Sequence, residues 1–378
     1  MSELDPTFAK EISKYGASHF NACYNCGNCT AVCNLSEQHA NFPRMFIRYG
    51  LLGEKEKILN SKEIWLCYAC GDCSESCPRQ AYPGEYMAAL RRYTIANAEK
   101  TGLARLIFTN NPWAIFITLL IAFILGLMIF TIKPDETIAR WLFTFIPYEL
   151  IHNLGLGVFA LTGITAALGI YTLIIRLLKK DPSDPASVKR KLSFSRTILA
   201  LKKVSLELAT MKRYQTCDTE EDSYWKHKHW LIKPWFVHWS IMWGFIGLLI
   251  ATILDFIFKD PATVMWLPSR ILGTLTGILL IYGTTLAVIY RLTKPTKSYA
   301  DIKMADWTFL LFLWIAGFTG FWLEIAVMSG WNNLITQIVF LIHTVISMEL
   351  IILFAFSKFA HALYRPLALY FYYYRQAL

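Results

Sequence analysis

The sequence predicts an all-α protein: a polar, helical N-terminal domain built around eight cysteines, followed by a six-span transmembrane helix bundle. Three observations carry this expectation. Of 378 residues, 55% are hydrophobic and 15% aromatic, with a mean hydropathy of +0.38, and the apolar residues come in long uninterrupted runs. Those runs begin only at Pro112, behind a stretch that is polar, charged and rich in cysteine. Eight of the nine cysteines fall in two tight groups, which in a reducing compartment points to metal ligation rather than disulfides.

Residues 1–110 carry no charged-then-apolar leader, so this domain is expected on the cytoplasmic side. It reads Cys23-x-x-Cys26-x-x-Cys29-x-x-x-Cys33 and then Cys67-x-x-Cys70-x-x-Cys73-x-x-x-Cys77-Pro78. Three thiolates spaced by two residues wrap three corners of a 4Fe-4S cube from one loop, and the fourth cysteine leads away to the neighbouring cluster. A helical two-cluster ferredoxin domain follows. Its expected ligands are Cys23, Cys26, Cys29 and Cys77 for cluster one, and Cys67, Cys70, Cys73 and Cys33 for cluster two. Zinc fits less well, because it takes its thiolates as two separated C-x-x-C pairs. The first run ends in Cys33-Asn34 instead of Cys-Pro, which leaves the ligand set intact. Cys217 reads as an incidental lone thiol.

A hydrocarbon core of about 30 Å takes roughly 20 helical residues to cross. Six segments within the membrane domain 111–378 are long enough: 113–132, 148–177, 235–257, 268–292, 306–328 and 335–358. With the front domain inside, odd spans run outward and even spans return. From Arg176 to Lys233 there are 14 Lys or Arg against 7 Asp or Glu. This basic loop, 178–233, is expected inside, with Lys294, Lys297, Lys303, Arg365 and Arg375, whereas the outer connections hold only Lys133, Arg140 and Lys259. The net charge of +10 is then topological, and the expected partner is a lipid membrane, with no nucleic acid.

Within that loop, LSFSRTILALKKVSLELATMKR sets Leu192, Leu199, Leu206 and Thr210 near one helical face. An interfacial helix, a docking surface and a solvated linker all fit. Gly155, Gly157, Gly163 and Gly169 in the second span, and Gly273 and Gly277 in the fourth, read as helix-packing positions, with room for a flat cofactor as the other reading.

Of eight histidines, His19, His39, His227 and His229 read as polar surface or interface residues. His152, His238 and His343 lie in spans and His361 at the inner end of the last, where an ionisable group is costly unless it has a function. On one continuous helix His343 and His361, 18 residues apart, share a face at a separation of about 27 Å. That spacing calls for two haems near opposite membrane surfaces, held noncovalently because no C-x-x-C-H attachment site exists. Depth pairs His361 with His238 and His343 with His152. The alternative puts His227 or His229 on the inner haem and moves His238 to the outer one.

The stretches CYNCGNCTAVC, FPRMFIRYGLLGEKEKIL and EIWLCYACGDCSESCPRQ resemble the C subunit of heterodisulfide reductase over about residues 15–100. The membrane half resembles the haem-binding gamma subunit of respiratory nitrate reductase and the membrane cytochrome of heterodisulfide reductase. The gamma family carries the same 18-residue histidine spacing on its last span, but holds its other two ligands about ten residues apart on one helix. Ten residues either side of His238 stand Leu248 and Lys228. The fusion is similar to the C subunit of the quinone-interacting membrane-bound oxidoreductase complex. That resemblance implies a component of the cytoplasmic (inner) membrane carrying two haem b and two 4Fe-4S clusters. It would use menaquinone, work with two flavin and iron-sulfur subunits, and serve adenylylsulfate reductase in sulfate respiration. The cysteine-rich motifs that build a heterodisulfide-reducing site are absent, since only Cys217 remains after the two runs. A haem-free anchor for an iron-sulfur protein, a transporter with a cluster domain and a quinone-linked heterodisulfide reductase-like subunit are the competing readings. By analogy with the nitrate reductase family the quinone is placed near the outer haem, with Glu149, Asp255, Arg270 and Glu324 as candidate groups and a haem propionate as the other partner for Arg270.

Overall fold

The computed structural model describes residues 4–37, 41–131, 146–178, 193–218, 223–258, 267–299 and 303–376. His39, Leu192, Lys133, Arg140 and Lys259 lie outside the described residues. Among the described residues every regular element is helical. The front part holds α1 (Phe8–Ser13), α2 (Asn28–Ala31), α3 (Arg44–Leu52), α4 (Lys55–Leu59), α5 (Glu63–Leu66), α6 (Asp72–Glu75), α7 (Pro83–Ala98) and α8 (Leu103–Thr109). Proline at the first position starts α7, and Tyr86, Leu90 and Tyr93 recur at helical spacing to bury one face.

The chain then forms α9 (Asn111–Thr131), α10 (Tyr148–Leu178), α11 (Phe194–Thr210), α12 (Lys212–Cys217), α13 (Pro234–Phe258), α14 (Leu267–Thr293), α15 (Met304–Ser329), α16 (Leu334–Ile352) and α17 (His361–Gln376). Six of these stretches are long and apolar enough to cross a membrane, matching the six expected segments.

The last span differs from expectation. Helix α16 stops at Ile352, and the chain passes through short turns at Leu353–Ala355 and Lys358–Ala360 before α17 begins at His361. Ser357 adopts extended backbone and its hydroxyl accepts from Phe359 N. The Phe359 ring then locks among Phe245, Phe309 and Phe354. His343 and His361 therefore stand on different helices, and the five-turn argument from one continuous helix does not apply.

The glycines also sort differently. Gly244, Gly247 and Gly283 hold α13 against α14: a Cβ at Gly244 would meet Leu280 N at 2.7 Å, one at Gly283 would meet Val237 O at 2.9 Å, and one at Gly247 would collide with Thr276. Gly169 is closed off by Tyr364, whereas Gly155, Gly157 and Gly163 face open space and meet no helix among the described residues. Gly273 and Gly277 meet neighbours at an ordinary 3.9 Å.

Helix α11 buries Ala200 and Val204 and turns Phe194, Ile198, Leu199, Leu201 and Leu206 outward, so Leu199 and Leu206 belong to an exposed apolar face. One core runs from Phe8, Phe46, Tyr86 and Tyr93 through Leu173 and Leu177 to Leu353, Tyr364 and Tyr372. The cysteine-rich part is thus packed on the side of the bundle that carries α11, α17 and the connection after α14. A charged clasp closes this junction. Asp306 at the start of α15 accepts from Arg92 Nη2 of α7 at 2.6 Å and pairs with Lys358 Nζ at 3.3 Å, while its carbonyl accepts from Arg291 Nη1 at 2.7 Å.

Candidate electron-transfer sites

The two cysteine runs fold alike. In each, the second residue after the first cysteine has positive φ, Asn25 at 66° and Ala69 at 58°, and its N–H donates to the sulfur of Cys23 or Cys67 at 3.4 and 3.3 Å. Gly27 and Gly71, both left-handed, then turn the chain into α2 and α6. Such backbone donors to sulfur are what a thiolate-bound cluster needs.

Cys23, Cys26, Cys29 and Cys77 line one common cavity with Arg44, Arg79 and Pro83. Burial, then the neighbouring Cys23, pushes the Cys29 thiol up to about 11, and Cys77 and Cys26 act in the same direction. Burial, then Cys67, pushes Cys33 up to about 12. Cys73 is raised by burial, then by Cys67 and Cys33. Each set of three thus has the far cysteine of the other run beside it, and such buried thiols ionise readily only on a metal. Among the described residues no three Cys, His, Asp or Glu side chains converge on a single ion. The donor set is all sulfur and fits cubane clusters.

Cys217 is not isolated. Helix α12 carries it to the second run, where a hydrogen bond with Cys217, ahead of burial, raises the Cys70 thiol. Cys26 is exposed, so the first run reaches the surface, whereas the second run lies against the bundle. There Ser298 packs on Gly71, and Lys297 N donates to Glu75 Oε1 at 2.6 Å.

The structure brings His238 of α13 and His361 together, with ring centres 6.2 Å apart. Two imidazoles bonded to one metal at about 2 Å each stand roughly 6–6.5 Å apart. Nδ1 of His361 donates to Lys358 O at 2.6 Å, which leaves Nε2 free to ligate. On His343, Nδ1 lies 2.9 Å from Thr319 Oγ1. The Thr319 hydroxyl donates to Ile315 O at 2.7 Å, so it accepts from His343, whose Nε2 is likewise free. A Cβ on Gly320 would come within 3.0 Å of this ring, so the glycine makes room for it. His152 does not meet His343. Its ring stacks on Phe256 at 4.1 Å, close to Tyr148. His227 and His229 are exposed before α13, where His229 Nδ1 accepts from Leu231 N. His19 is exposed against Tyr82.

Helix α14 gathers two of the four polar candidates for a quinone site. Ser269 Oγ donates to Asp255 Oδ1 at 2.6 Å, and Thr274 Oγ1 to Glu324 Oε1 at 2.5 Å. Arg270 follows Ser269 directly, and Glu149 stands apart, exposed on α10. Three further groups escape a reading of the sequence: Arg365, which is readable only as one turn beyond His361; Asp306, which looks like a helix-end charge; and Glu349. The last is 1% exposed within α16, with no hydrogen-bond partner for Oε1, and an acidic residue inside a span is the signal that points to it.

A family model described as a 4Fe-4S dicluster domain matches residues 19–81, which hold all eight clustered cysteines. A model described as citrate utilization protein B matches residues 106–375. The chain belongs to the citrate utilization protein B family. Among curated relatives, this family member is similar to a protein of Archaeoglobus profundus named as like the C subunit of heterodisulfide reductase, 32% identical over 111 residues, which are 28% of this chain and 59% of that protein. It is also similar to the C subunit of the H(2):CoB-CoM heterodisulfide,ferredoxin reductase of Methanothermobacter thermautotrophicus, 31% identical over 77 residues, 20% of this chain and 42% of that protein. The chain spans about half the length of these relatives. No solved structure matches.

Proposed function

We propose that this chain relays electrons between a quinone in the membrane and a redox partner on the dicluster side. The observation that supports it is contiguity: Arg365, one turn beyond His361 on α17, donates through Nη1 to the carbonyl of Cys67 at 3.4 Å, so a candidate haem ligand and a candidate cluster ligand share one short path. His238 and His361 would hold an inner haem b, and His343 an outer one, for which His152 would serve as second ligand only after leaving its stack on Phe256. A b haem supplies reversible one-electron transfer, and Nδ1 bonds to Lys358 and Thr319 orient the two imidazoles and fix the tautomer that leaves Nε2 as the ligand. Cys67, Cys70, Cys73 and Cys33 would hold the cluster nearer the bundle, and Cys23, Cys26, Cys29 and Cys77 the one nearer the partner.

The outer polar set, Asp255, Arg270 and Glu324, is where a quinone's oxygens would be bonded, with Glu149 nearby in sequence to His152. Menaquinone fits this reading, with two flavin and iron-sulfur subunits as partners and adenylylsulfate reductase as the destination, as the resemblance to the quinone-interacting complex implies. Relatives named as heterodisulfide reductase subunits support an iron-sulfur partner. The basic loop and tail favour a cytoplasmic dicluster domain in the inner membrane.

A reduced-minus-oxidised visible spectrum of the purified chain tests the reading. Two b-haem contributions over cluster absorption are expected. Cluster absorption alone leaves a membrane anchor for an iron-sulfur protein.

A further inference from the structure

Three arginines from separate elements meet where α17 reaches the dicluster domain. Arg91 of α7 donates through Nε to Ile64 O at 3.0 Å and through Nη2 to Cys67 O. Arg365 donates through Nη1 to that same carbonyl, and its guanidinium lies 3.9 Å from the centre of the Tyr68 ring. Arg213 of α12 donates through Nη2 to the Tyr372 hydroxyl at 3.1 Å. Among the described residues a single carboxylate, Glu207 of α11, faces Arg213 and Arg365, and it already accepts from the Tyr68 hydroxyl. Arg213 and Arg365 thus share one carboxylate.

Two of their donors are left over. Nη2 of Arg365 and Nη1 of Arg213 are buried with no hydrogen-bond partner among the described residues. A buried cation without an anion is strongly unfavourable, and a guanidinium fork matches a carboxylate with two parallel hydrogen bonds. Position identifies the carboxylate. Residues four apart on a helix share a face, so Arg365 stands directly after His361 in the row of side chains that the ligand belongs to.

We propose that Arg365 and Arg213 form a carboxylate-binding site for a propionate of the haem held by His238 and His361, and that Arg365, through the Cys67 carbonyl, ties this haem to the second cluster. The inference rests on the reading of His361 as a haem ligand. Its consequence is electrostatic. Positive charge between two cofactors stabilises the reduced form of each, so removing it lowers both reduction potentials.

The test uses the full chain in detergent and its Arg365→Leu, Arg365→Lys and Arg213→Gln variants. Resonance Raman spectra of the propionate bending modes are read beside optical titration of the haems and electron paramagnetic resonance titration of the clusters. In Arg365→Leu, the propionate band of the haem that His361→Ala removes should shift, and the potentials of that haem and of one cluster should fall. Arg365→Lys should restore the potentials but not the band, and Arg213→Gln should move the band alone. Should Arg365→Leu fail to assemble, the other two variants decide. A wild type with two haems whose propionate bands and potentials are unmoved in all three variants overturns the site, including the case where a lipid phosphate occupies it. A wild type with no haem sinks the relay reading instead.

Discussion

His238 of α13 and His361 of α17 face each other across 6.2 Å between ring centres, at an interplanar angle of 65°. They are 123 positions apart in sequence, and the geometry arises because α17 is a new helix rather than the tail of the last span. Replacing either ring by alanine should therefore remove the same haem, and His343→Ala the other one. Pyridine haem content and the split of the low-temperature α-band report this directly. Loss of different haems from His238→Ala and His361→Ala would separate the pair.

The crossed cluster ligation has its own signature. Iron analysis should give about eight non-haem irons and eight labile sulfides per chain, as two cubane clusters require. Cys77→Ser should alter the paramagnetic signal of the cluster whose other ligands are Cys23, Cys26 and Cys29, and Cys33→Ser that of the second. A Cys77→Ser protein whose altered signal coincides with that of Cys70→Ser would show ligation within each run.

At the junction of the two parts, Asp306→Asn should leave Arg92 and Lys358 buried or half-buried without their anion, a change of about 3–5 kcal/mol for broken buried pairs. The thermal midpoint of the purified protein should fall, and proteolysis between α8 and α9 should speed up. Because the partners act as a unit, adding Arg92→Leu should cost less than its effect in the wild type. Unchanged midpoints would mean that the clasp contributes nothing.

Cys217→Ala removes the thiol beside Cys70, whose S–H is the donor available to that sulfur once Cys70 is a cluster thiolate. Hydrogen bonds to cluster sulfurs raise reduction potentials, so the second cluster should become harder to reduce while the iron count stays at its wild-type value. A potential that does not move would return Cys217 to the role of a bystander.

Much of this organisation is legible in the chain itself. Hydropathy marks all six spans because backbone groups in lipid force long apolar helices, and the cysteine runs announce their chemistry by spacing. The misreadings share a cause. Ser357 and Lys358 look like the polar end of an apolar run, and only the Ser357 bond to Phe359 N and the packing of the Phe359 ring reveal the break. Gly155, Gly157 and Gly163 look like packing glycines because composition cannot say which helix face meets a neighbour. Asp306, Cys217 and Arg365 take their meaning from partners more than 100 residues away, Arg92, Cys70 and Cys67, which no local pattern encodes.

Asp218 makes stability depend on pH in a defined direction. It follows α12, is 2% exposed, and its Oδ2 accepts from Trp235 N at 2.9 Å. Burial outweighs that bond and raises its carboxyl from 3.8 to about 7. Below pH 4 the group is protonated in both folded and unfolded chains and has no effect. As pH rises, the unfolded chain releases its proton first, so the folded state loses relative stability until the native carboxyl also ionises near pH 7. With each pKa unit equal to about 1.4 kcal/mol, the loss at pH 8 is on the order of 2–4 kcal/mol. Asp218→Asn keeps an acceptor for Trp235 N but cannot ionise. Its thermal midpoint should match the wild type at pH 4 and exceed it at pH 8. An equal offset at both pH values would show that the side chain acts through shape and not through its proton.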